Sequence, residues 1–492
     1  MKNPHRGTGI LLAWLTGLFR IRPEYQLSSR IFIKALALIY LFAFASLLPQ
    51  VAGLVGPDGI LPFSIYLGNA WRELGYSALL QVPSVFWLSA SDWALEAAAL
   101  AGVLLSLLLL WGRWQLFALI MLFVLYLSLY RAGQHFMNFQ WDTLLLEAGL
   151  LGVFLHLGPT ALVLFLYHWL LFRLRFMSGL FKFISGDPSW ASFTSLDYYF
   201  ETQPLPHAGA WYAHLLPEWL HHFGVGFTYF TELVVPLFIF LPRPLRLAAV
   251  AITLLMQGLI LTTSNHNFFN LLTIALCILL LDDKAIRRLL GRKEAAGSSV
   301  LPPDPGMAHR LLLGTLALLL LFASISGFLG LASGRSMPLE NLRRQVQNFG
   351  VGAVYHVFPT MQTERQELMV EGSNDGRHWQ EYVFRYKPQH LDERPAFIVP
   401  HQPRLDWMMW FVPTQHPEQM FWFGQFLWKL KQGSPQVLSL LGENPFPMGP
   451  PEYLRVTAWK YRFTTPAERR ETGNWWTREY LGIFPQVPPR RP

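Results

Sequence analysis

The sequence predicts an α-helical polytopic membrane protein, with about nine transmembrane helices followed by a β-rich, sandwich-like soluble domain. Hydrophobic residues make up 52% of the 492 residues and charged residues only 14%, whereas an ordinary soluble protein has roughly 25% charged residues. Apolar runs of about 18 residues, long enough to cross a bilayer, recur through the first two thirds of the chain. After Ser333 these runs stop, and alternating patterns typical of strands replace them.

The chain before the first long apolar run is basic and polar. Its apolar stretch Ile10–Phe19 is too short to cross a bilayer, so we predict that this segment lies in the membrane interface. Nine spans are predicted to follow, at Ile31–Leu48, Trp93–Trp111, Trp114–Tyr130, Trp141–Leu157, Thr160–Leu180, Val225–Leu241, Leu245–Thr263, Phe268–Leu281 and Leu311–Leu331.

Lysine and arginine residues cluster in alternate connections, and this orients the spans. The N-terminus, the turn at Arg113, the turn at Pro242–Arg246 and the Lys284–Lys293 loop fall on one side, which the positive-inside rule assigns to the cytoplasm. An odd number of crossings then places the C-terminal domain outside the cytosol. We therefore predict three parts: a basic N-terminal interfacial segment at residues 1–29, a transmembrane helical domain at 30–333 and an extracytoplasmic β-rich domain at 334–492.

The last third of the chain carries strand signals. Glu367–Tyr386 alternates on both sides of Asn374-Asp375-Gly376, which predicts a hairpin with its turn at these three residues. The alternating run Tyr453–Phe463 predicts a further strand, and Gln419–Lys431 predicts a helix. We expect this domain to be folded and to pack against the loops on its own side of the membrane.

Charge and cysteine content exclude several classes of protein. The net charge is +8, but the basic residues cluster in short loops beside the spans, so we predict no nucleic-acid binding. The single cysteine, Cys277, excludes an intrachain disulfide, a Cys-x-x-Cys pair and a thiolate zinc site. No phosphate-binding loop, dinucleotide fingerprint or histidine pair with metal-site spacing occurs, so we expect no cofactor and no metal.

Polar residues inside the predicted spans are candidates for function, because a charge in the bilayer is costly. Glu232 shares a helix face with Thr228 and Tyr229. If the protein is an enzyme, Glu232 and His266 are the candidate acid or base. The polar seam extends to the next two spans through Thr253, Gln257, Ser264, Asn267, Asn270 and Cys277. Two interpretations are open for this seam: an outward-opening cavity, or hydrogen bonds that hold the helices together.

A second set of polar residues is predicted to form an outward-facing functional site. Its members are Asn138, Asp142, Glu201, Gln203, His266 and Asn267. Asp142 is expected to cap its helix or to pair with Arg131. Glu201 lies in a loop stiffened by Pro204 and Pro206, and we expect it to pair with a base or backbone amide from residues 134–140 or from the soluble domain.

Glu147 lies deeper in the same predicted span as Asp142. The two carboxylates are five residues apart and point about 140° apart on a helix, so they cannot act as a paired acid and base. We interpret Glu147 as a structural ion pair, with Lys34, His168 and Arg173 as candidate partners.

Several longer stretches carry a resemblance to known proteins. They are Asn138–Gly149, Tyr198–Pro206, Ala210–Tyr212, Asn265–Thr273, His401–Trp407, Asn444–Pro447 and Gly473–Glu479. Together they resemble the lipase maturation factor family, and they spread from about residue 135 to the end of the chain. The membrane half is also distantly similar to that of the vitamin K-dependent γ-carboxylase.

The first resemblance implies a membrane-bound maturation or folding factor for secreted proteins, plausibly lipases, that acts from the extracytoplasmic face and is not an enzyme. Its partners would be a secreted lipase-like client and the membrane lipids. Exposed aromatic residues would suit apolar client segments, unless they form the core of the β domain; the candidates are Trp407, Trp410, Trp422, Trp475 and Trp476. The carboxylase likeness implies the alternative, a membrane-embedded enzyme acting on a lipid or a lipid-soluble cofactor.

The compartment is predicted from what the sequence lacks. It contains no Asn-x-Ser/Thr glycosylation site and no endoplasmic-reticulum retrieval tail. Both observations fit a bacterial inner membrane, with the C-terminal domain in the periplasm, the topological equivalent of the endoplasmic-reticulum lumen.

Overall fold

A bundle of helices makes up the first part of the computed structural model, which describes residues 16–291, 305–414 and 420–485. The bundle helices are α1 (Gln26–Leu47), α2 (Asp92–Trp111), α3 (Gln115–Ala132), α4 (Gln140–Leu157), α5 (Ala161–Ile184), α6 (Glu218–Tyr229), α7 (Arg243–Thr263), α8 (Phe269–Ile278) and α9 (Met307–Ser333). Helix α1 packs against α2, α4 and α8, while α5 packs against α4, α8 and α9. The beginning of the predicted interfacial segment, before residue 16, lies outside the described residues.

Shorter helices connect the bundle elements. They lie at Val51–Val55, Phe63–Leu74, Ala78–Gln81, Pro188–Ala191, Ser195–Thr202, Ala208–His214 and Asp283–Leu289. Residues 134–139, 185–217 and 264–268 lie at one end of the bundle, against which the C-terminal region packs; we call this the sheet-side end.

Each of the nine predicted spans forms a helix at or near its predicted position. Within the described residues, seven helices are long and apolar enough to cross a membrane: α1–α3, α5, α6 with its continuation to Phe240, α7 and α9. Helix α4 carries Asp142 and Glu147, and α8 has only 10 residues. Most side chains of both helices are buried, so neighbouring helices surround them and a lipid-compatible outer face is not required.

Helix α6 changes its geometry where the chain reaches Pro236. A π-helical turn at Phe230–Val234 and a 3-10 segment at Val235–Phe240 continue the helix. Proline has no N–H to donate to the preceding turn, so the regular hydrogen-bond ladder cannot pass it. The π turn contains Glu232 and packs against α5.

The C-terminal region contains one four-stranded antiparallel sheet in the order β2-β1-β3-β4. The strands are β1 (Arg365–Ser373), β2 (Gln380–Glu381), β3 (Tyr453–Phe463) and β4 (Trp476–Ile483). Longer helices of this region are α10 (Glu340–Asn348), α11 (Phe421–Gln432) and α12 (Pro466–Thr472), with short turns at Arg404–Met409 and Pro435–Leu438. The described residues thus hold a single sheet layered on helices and loops, where a sandwich of two sheets was predicted.

The local predictions for this region are confirmed in large part. Strand β3 has the predicted bounds, and α11 lies within two residues of the predicted helix. Strands β1 and β2 pair around the predicted turn, where Gly376 has φ +71° and the amide of Gly376 donates to Ser373 Oγ (2.9 Å). Strand β2 contains only two residues, and β4 was not predicted.

Strand β1 is buried on both faces, and this explains why the sheet needs no partner sheet. Leu368 and Val370 belong to the large core that also contains Trp422 of α11. Met369 on the other face joins a second core with Trp211, from the 185–217 segment of the bundle. The sheet therefore lies between its own helices and the bundle loops, and the predicted packing of the C-terminal region against these loops is confirmed.

The aromatic residues proposed for client contacts are mostly core residues. Trp407, Trp422, Trp475 and Trp476 are all buried, and only Trp410 is partly accessible. For the first four, the alternative interpretation as core residues is confirmed, because the two cores need large side chains to fill the space between sheet, helices and bundle.

Candidate functional site

A buried ion pair joins the C-terminal region to α4. Arg404 Nη1 and Nη2 each lie 2.7 Å from an oxygen of Asp142, and the Tyr126 hydroxyl donates to Asp142 Oδ1 (2.6 Å). Arg404 also donates to the Phe136 carbonyl (3.2 Å). The expected pairing of Asp142 with Arg131 is wrong, since Arg131 donates to the Gln81 carbonyl instead.

The residues before Arg404 are held by hydrogen bonds to the ends of α1 and α8. The Gln402 amide donates to Ser46 Oγ (2.8 Å), and the Arg404 amide donates to Gln50 Oε1 (2.8 Å). Asn267 Nδ2 donates to Gln402 Oε1 (2.9 Å). Asn267 has φ +43°, a conformation that asparagine tolerates better than most residues. The predicted site residues Asp142 and Asn267 thus converge on one docked segment, residues 401–404.

A second buried ion pair lies deeper in the bundle. Glu147 pairs with Arg173, one of its predicted partners, and accepts a hydrogen bond from the Gly352 amide (2.8 Å). Arg173 Nη1 donates to the Ala353 carbonyl (3.0 Å). The pair fixes the segment that follows α10 onto α4 and α5, and this is the structural role that was predicted for it.

Glu201 and Gln203 brace the sheet. The Glu201 carboxylate accepts a hydrogen bond from the Phe463 amide of β3 (2.6 Å), which confirms the expected partner from the C-terminal region. Arg365 of β1 donates to the carbonyls of Glu201 (2.9 Å), Gln203 (2.5 Å) and Pro204 (2.9 Å). Gln203 Nε2 donates to the Thr263 carbonyl at the end of α7 (3.0 Å). Desolvation by burial raises the pKa of the Glu201 carboxyl group.

His266 lies between two cavities. Its Nε2 is 2.8 Å from the Tyr199 hydroxyl, which is also 3.0 Å from Ser264 Oγ. The imidazole packs against the rings of Phe358 and Trp407. Burial lowers the pKa of His266 to about 4, so the ring is neutral near pH 7 and forms a hydrogen-bonded divider between the cavities.

The larger cavity, of about 960 Å³, lies where the C-terminal region meets the sheet-side end; we call it the junction cavity. Its aromatic wall includes Phe139, Trp410 and Phe411, and Asn138 lies at its edge. Arginines and one glutamate complete the rim: Arg335, Glu340, Arg343 and Arg344. Of the predicted outward-facing residues, Asn138 and His266 line this cavity.

The smaller cavity, of about 350 Å³, lies among α5, α6, α7 and α8; we call it the bundle cavity. Glu232 lines it and pairs with Lys182 (2.8 Å) and Arg175 (3.6 Å). Gln257 and Asn270 also line it, and Asn270 Nδ2 donates to Gln257 Oε1 (2.8 Å) across α7 and α8. The polar seam therefore links the helices, as the second interpretation predicts, and it also lines a cavity. The outward opening of this cavity stays a prediction.

Sequence reasoning missed four cations that organise these contacts: Arg175, Lys182, Arg365 and Arg404. Arg404 stands in one of the family-like stretches, but its partner Asp142 is 262 positions away, and a single sequence carries no signal for such a pair. Within the described residues no group of three or more His, Cys, Asp or Glu side chains could hold a metal ion.

In the part of the chain that the structure describes, seven helices can cross a membrane, and buried ion pairs fix the sheet region onto one end of the bundle. This architecture defines an integral multi-pass membrane protein with a docked C-terminal region. Residues 27–288 match the family described as lipase maturation factor transmembrane domain, and residues 351–485 match the lipase maturation factor C-terminal domain.

Curated relatives agree over almost the whole chain. The protein is 34% identical to lipase maturation factor 2 of Gallus gallus, over 93% of this chain and 81% of that protein. It is 32% identical to lipase maturation factor 2 of Homo sapiens (94% and 83% covered) and 32% identical to lipase maturation factor 1 of Bos taurus (94% and 89% covered). The chain belongs to the lipase maturation factor family, and its role is that of a membrane-bound maturation factor. No solved structure matches it.

Proposed function

We propose that this protein matures a secreted, lipase-like client by holding an apolar client segment in the junction cavity. The observation that carries the proposal is a cavity of about 960 Å³ with an aromatic wall, placed where the C-terminal region meets the membrane bundle. Accessible apolar concavities with a polar rim are typical of binding sites. The names of the relatives supply the client class, since they describe lipase maturation factors.

The cavity offers both apolar area and charge. Phe139, Trp410 and Phe411 are only partly buried, so their rings remain available to a partner. Aromatic and arginine side chains contribute a large share of the binding energy at protein interfaces. The rim holds three arginines and one glutamate, which favours client segments with acidic residues beside the apolar ones.

The predicted outward-facing residues divide into two roles in this proposal. Asn138 and His266 line the cavity. The other four position its walls: Asp142 and Asn267 anchor residues 401–404, while Glu201 and Gln203 brace the sheet. Their effect on a client would therefore be indirect.

The proposed location is a bacterial inner membrane, with residues 334–492 forming a periplasmic domain and residues 30–333 the membrane domain. The Lys/Arg bias of the connections supports this orientation. The absence of Asn-x-Ser/Thr glycosylation sites is consistent with the proposed bacterial location. In the endoplasmic reticulum of a eukaryote the same orientation would expose the client site to the lumen.

Site-specific photo-crosslinking tests the client site. A photoreactive phenylalanine analogue replaces Phe411 in the cavity wall or, as the control, Met448, which is 99% exposed and does not line the cavity. With a secreted lipase co-expressed, we expect a lipase adduct at position 411 and none at 448. Equal adducts at both positions, or none at either, would contradict the proposal.

A functional readout accompanies the crosslinking. Phe411→Ser should lower the specific activity of the secreted lipase several-fold while the melting temperature of the membrane protein stays within a few degrees, because Phe411 lines the cavity and is only partly buried. Unchanged lipase activity in this variant would argue against the junction cavity as the client site.

A further inference from the structure

The bundle cavity holds more positive than negative charge. Among its described lining residues, Arg175 and Lys182 face a single carboxylate, Glu232, and all three side chains are at least nine-tenths buried. The two lining histidines have other partners, Asp197 for His221 and Tyr199 for His266. A surplus cation buried in a bundle is costly unless an anion joins it.

One of these cations has an unused donor. Arg175 Nη2 donates to Thr231 Oγ1 (3.2 Å), but its Nε has no hydrogen-bond partner. Buried polar atoms in proteins are nearly always paired, and a guanidinium offers a geometry suited to carboxylate or phosphate oxygens. The cavity thus presents an incomplete binding site for an anion.

The rest of the cavity is apolar and reaches the side of the bundle. Helix α7 packs closely along Val235–Phe240 but has few contacts with α6 itself, so the two helices diverge towards the sheet-side end. Leu216, Phe223 and Leu259 line the cavity, and their side chains are exposed on the outer surface of the bundle. Only 22% of the apolar 18-residue stretch of α7 is buried, as expected for a helix whose outer face contacts lipid.

We propose that the bundle cavity binds an acyl amphiphile with an anionic head group, which enters from the bilayer between α6 and α7. Arg175 and Lys182 hold the head group, and the acyl chain lies along the apolar wall that ends at Phe223 and Leu259. A volume of about 350 Å³ is at the lower end of the range for small-molecule sites, roughly 300–1,000 Å³. It therefore suits one chain better than two. This site is separate from the client contact in the junction cavity.

A fluorescent fatty acid tests the proposal on the full-length protein in detergent. Cis-parinaric acid should bind saturably, and oleate should displace it at least tenfold more effectively than methyl oleate, because the ester lacks the charge that the two cations bind. Displacement by phosphatidylglycerol as effective as that by oleate would assign the site to a phospholipid head group; displacement by oleate alone would assign it to a free fatty acid. Absence of saturable binding, or equal displacement by oleate and its ester, would overturn the proposal.

Substitutions within the ion cluster should change affinity in opposite directions. Lys182→Gln and Arg175→Gln should each weaken oleate binding about tenfold, whereas Glu232→Gln removes the competing carboxylate and should strengthen it several-fold. Arg243→Gln, at an ion pair with Asp282 outside the cavity, is the matched control and should leave binding unchanged. If all three cavity variants weaken binding alike, the cluster is only structural and the proposal fails.

A conservative variant keeps the test decisive if a charge-removing variant does not fold. Arg175→Lys retains the charge but loses the planar guanidinium. It should keep the preference for oleate over methyl oleate while binding both more weakly than the unchanged protein. Loss of the preference with unchanged affinity would count against an anion held at Arg175.

Discussion

At the residue scale, buried ionisable groups determine how the C-terminal region is held. A buried carboxylate is costly, which predicts that Glu147 has a cationic partner. Arg173, on the next helix along the chain, is one of the predicted partners and does pair with it. The same reasoning failed for Asp142, because Arg131 is near in sequence whereas Arg404 is near only in the folded chain. Burial cost predicts that a partner exists, but the fold decides which residue it is.

Asp406 gives a prediction about pH. It is buried in the C-terminal region, where its Oδ1 accepts hydrogen bonds from the amides of Tyr386 (2.7 Å) and Lys387 (3.1 Å). Desolvation raises its pKa to about 6, above the roughly 3.9 of an unfolded chain. The folded state therefore binds this proton more tightly, so stability falls as the pH rises from about 4 to about 6, and the penalty is fully present above pH 6.

Asp406→Asn keeps an acceptor for the two amides and removes the buried charge. At pH 7.5 we expect this variant to melt at a higher temperature than the unchanged protein, because its free energy of unfolding is larger by at most about 3 kcal/mol. This difference in stability between the two proteins should be smaller at pH 5. Asp375→Asn is the matched control of opposite sign, because hydrogen bonds with His378 and nearby amides lower the pKa of Asp375. A gap for Asp406→Asn that does not depend on pH would show that burial does not perturb this carboxyl group.

At the scale of elements, apolar length and strand alternation predicted most of the fold. The nine helices of the bundle and β3 follow directly from these two periodicities. Strand β4 was missed because it lies at the edge of the sheet and its burial does not alternate cleanly. Pro236 is the only sequence signal for the π turn in α6. No sequence pattern indicates that this turn brings Glu232 to Lys182.

The docked segment around Arg404 is an element whose loss should destabilise the whole protein. Arg404→Gln leaves the Asp142 carboxylate buried without its cation, and breaking such a pair typically costs roughly 3–5 kcal/mol. We expect a large drop in the melting temperature in detergent and faster proteolysis of the C-terminal region. Arg462→Gln, which removes a partly exposed ion pair with Glu468, is the control and should lower the melting temperature far less, because solvent screens this pair. Similar small losses for both variants would show that the Asp142 pair does not anchor the region.

At the scale of the whole molecule, the sequence indicated that polar loops and the C-terminal region share one side, and the packing of the sheet against residues 185–217 agrees with this. The shapes of the two cavities could not be predicted from the sequence, because each cavity is lined by four or more elements from distant parts of the chain. The residues that line them were partly foreseen, since polar side chains in spans and loops are unusual enough to be noticed individually. Their convergence depends on helix packing.

The orientation across the membrane can be tested with single cysteines, since the chain has only one, Cys277, and it is buried. In a Cys277→Ala background, Met448→Cys and Tyr76→Cys place exposed thiols at the C-terminal region and at the α1–α2 connection. Arg113→Cys places one in the turn between α2 and α3, at the end of the bundle away from the sheet. Because basic residues mark the cytoplasmic side, a membrane-impermeant maleimide added from the non-cytoplasmic side of the membrane should label the first two thiols. It should label the third only after the membrane is permeabilised. The reverse pattern would invert the orientation and move the junction cavity to the cytoplasm, where no secreted client could reach it after export.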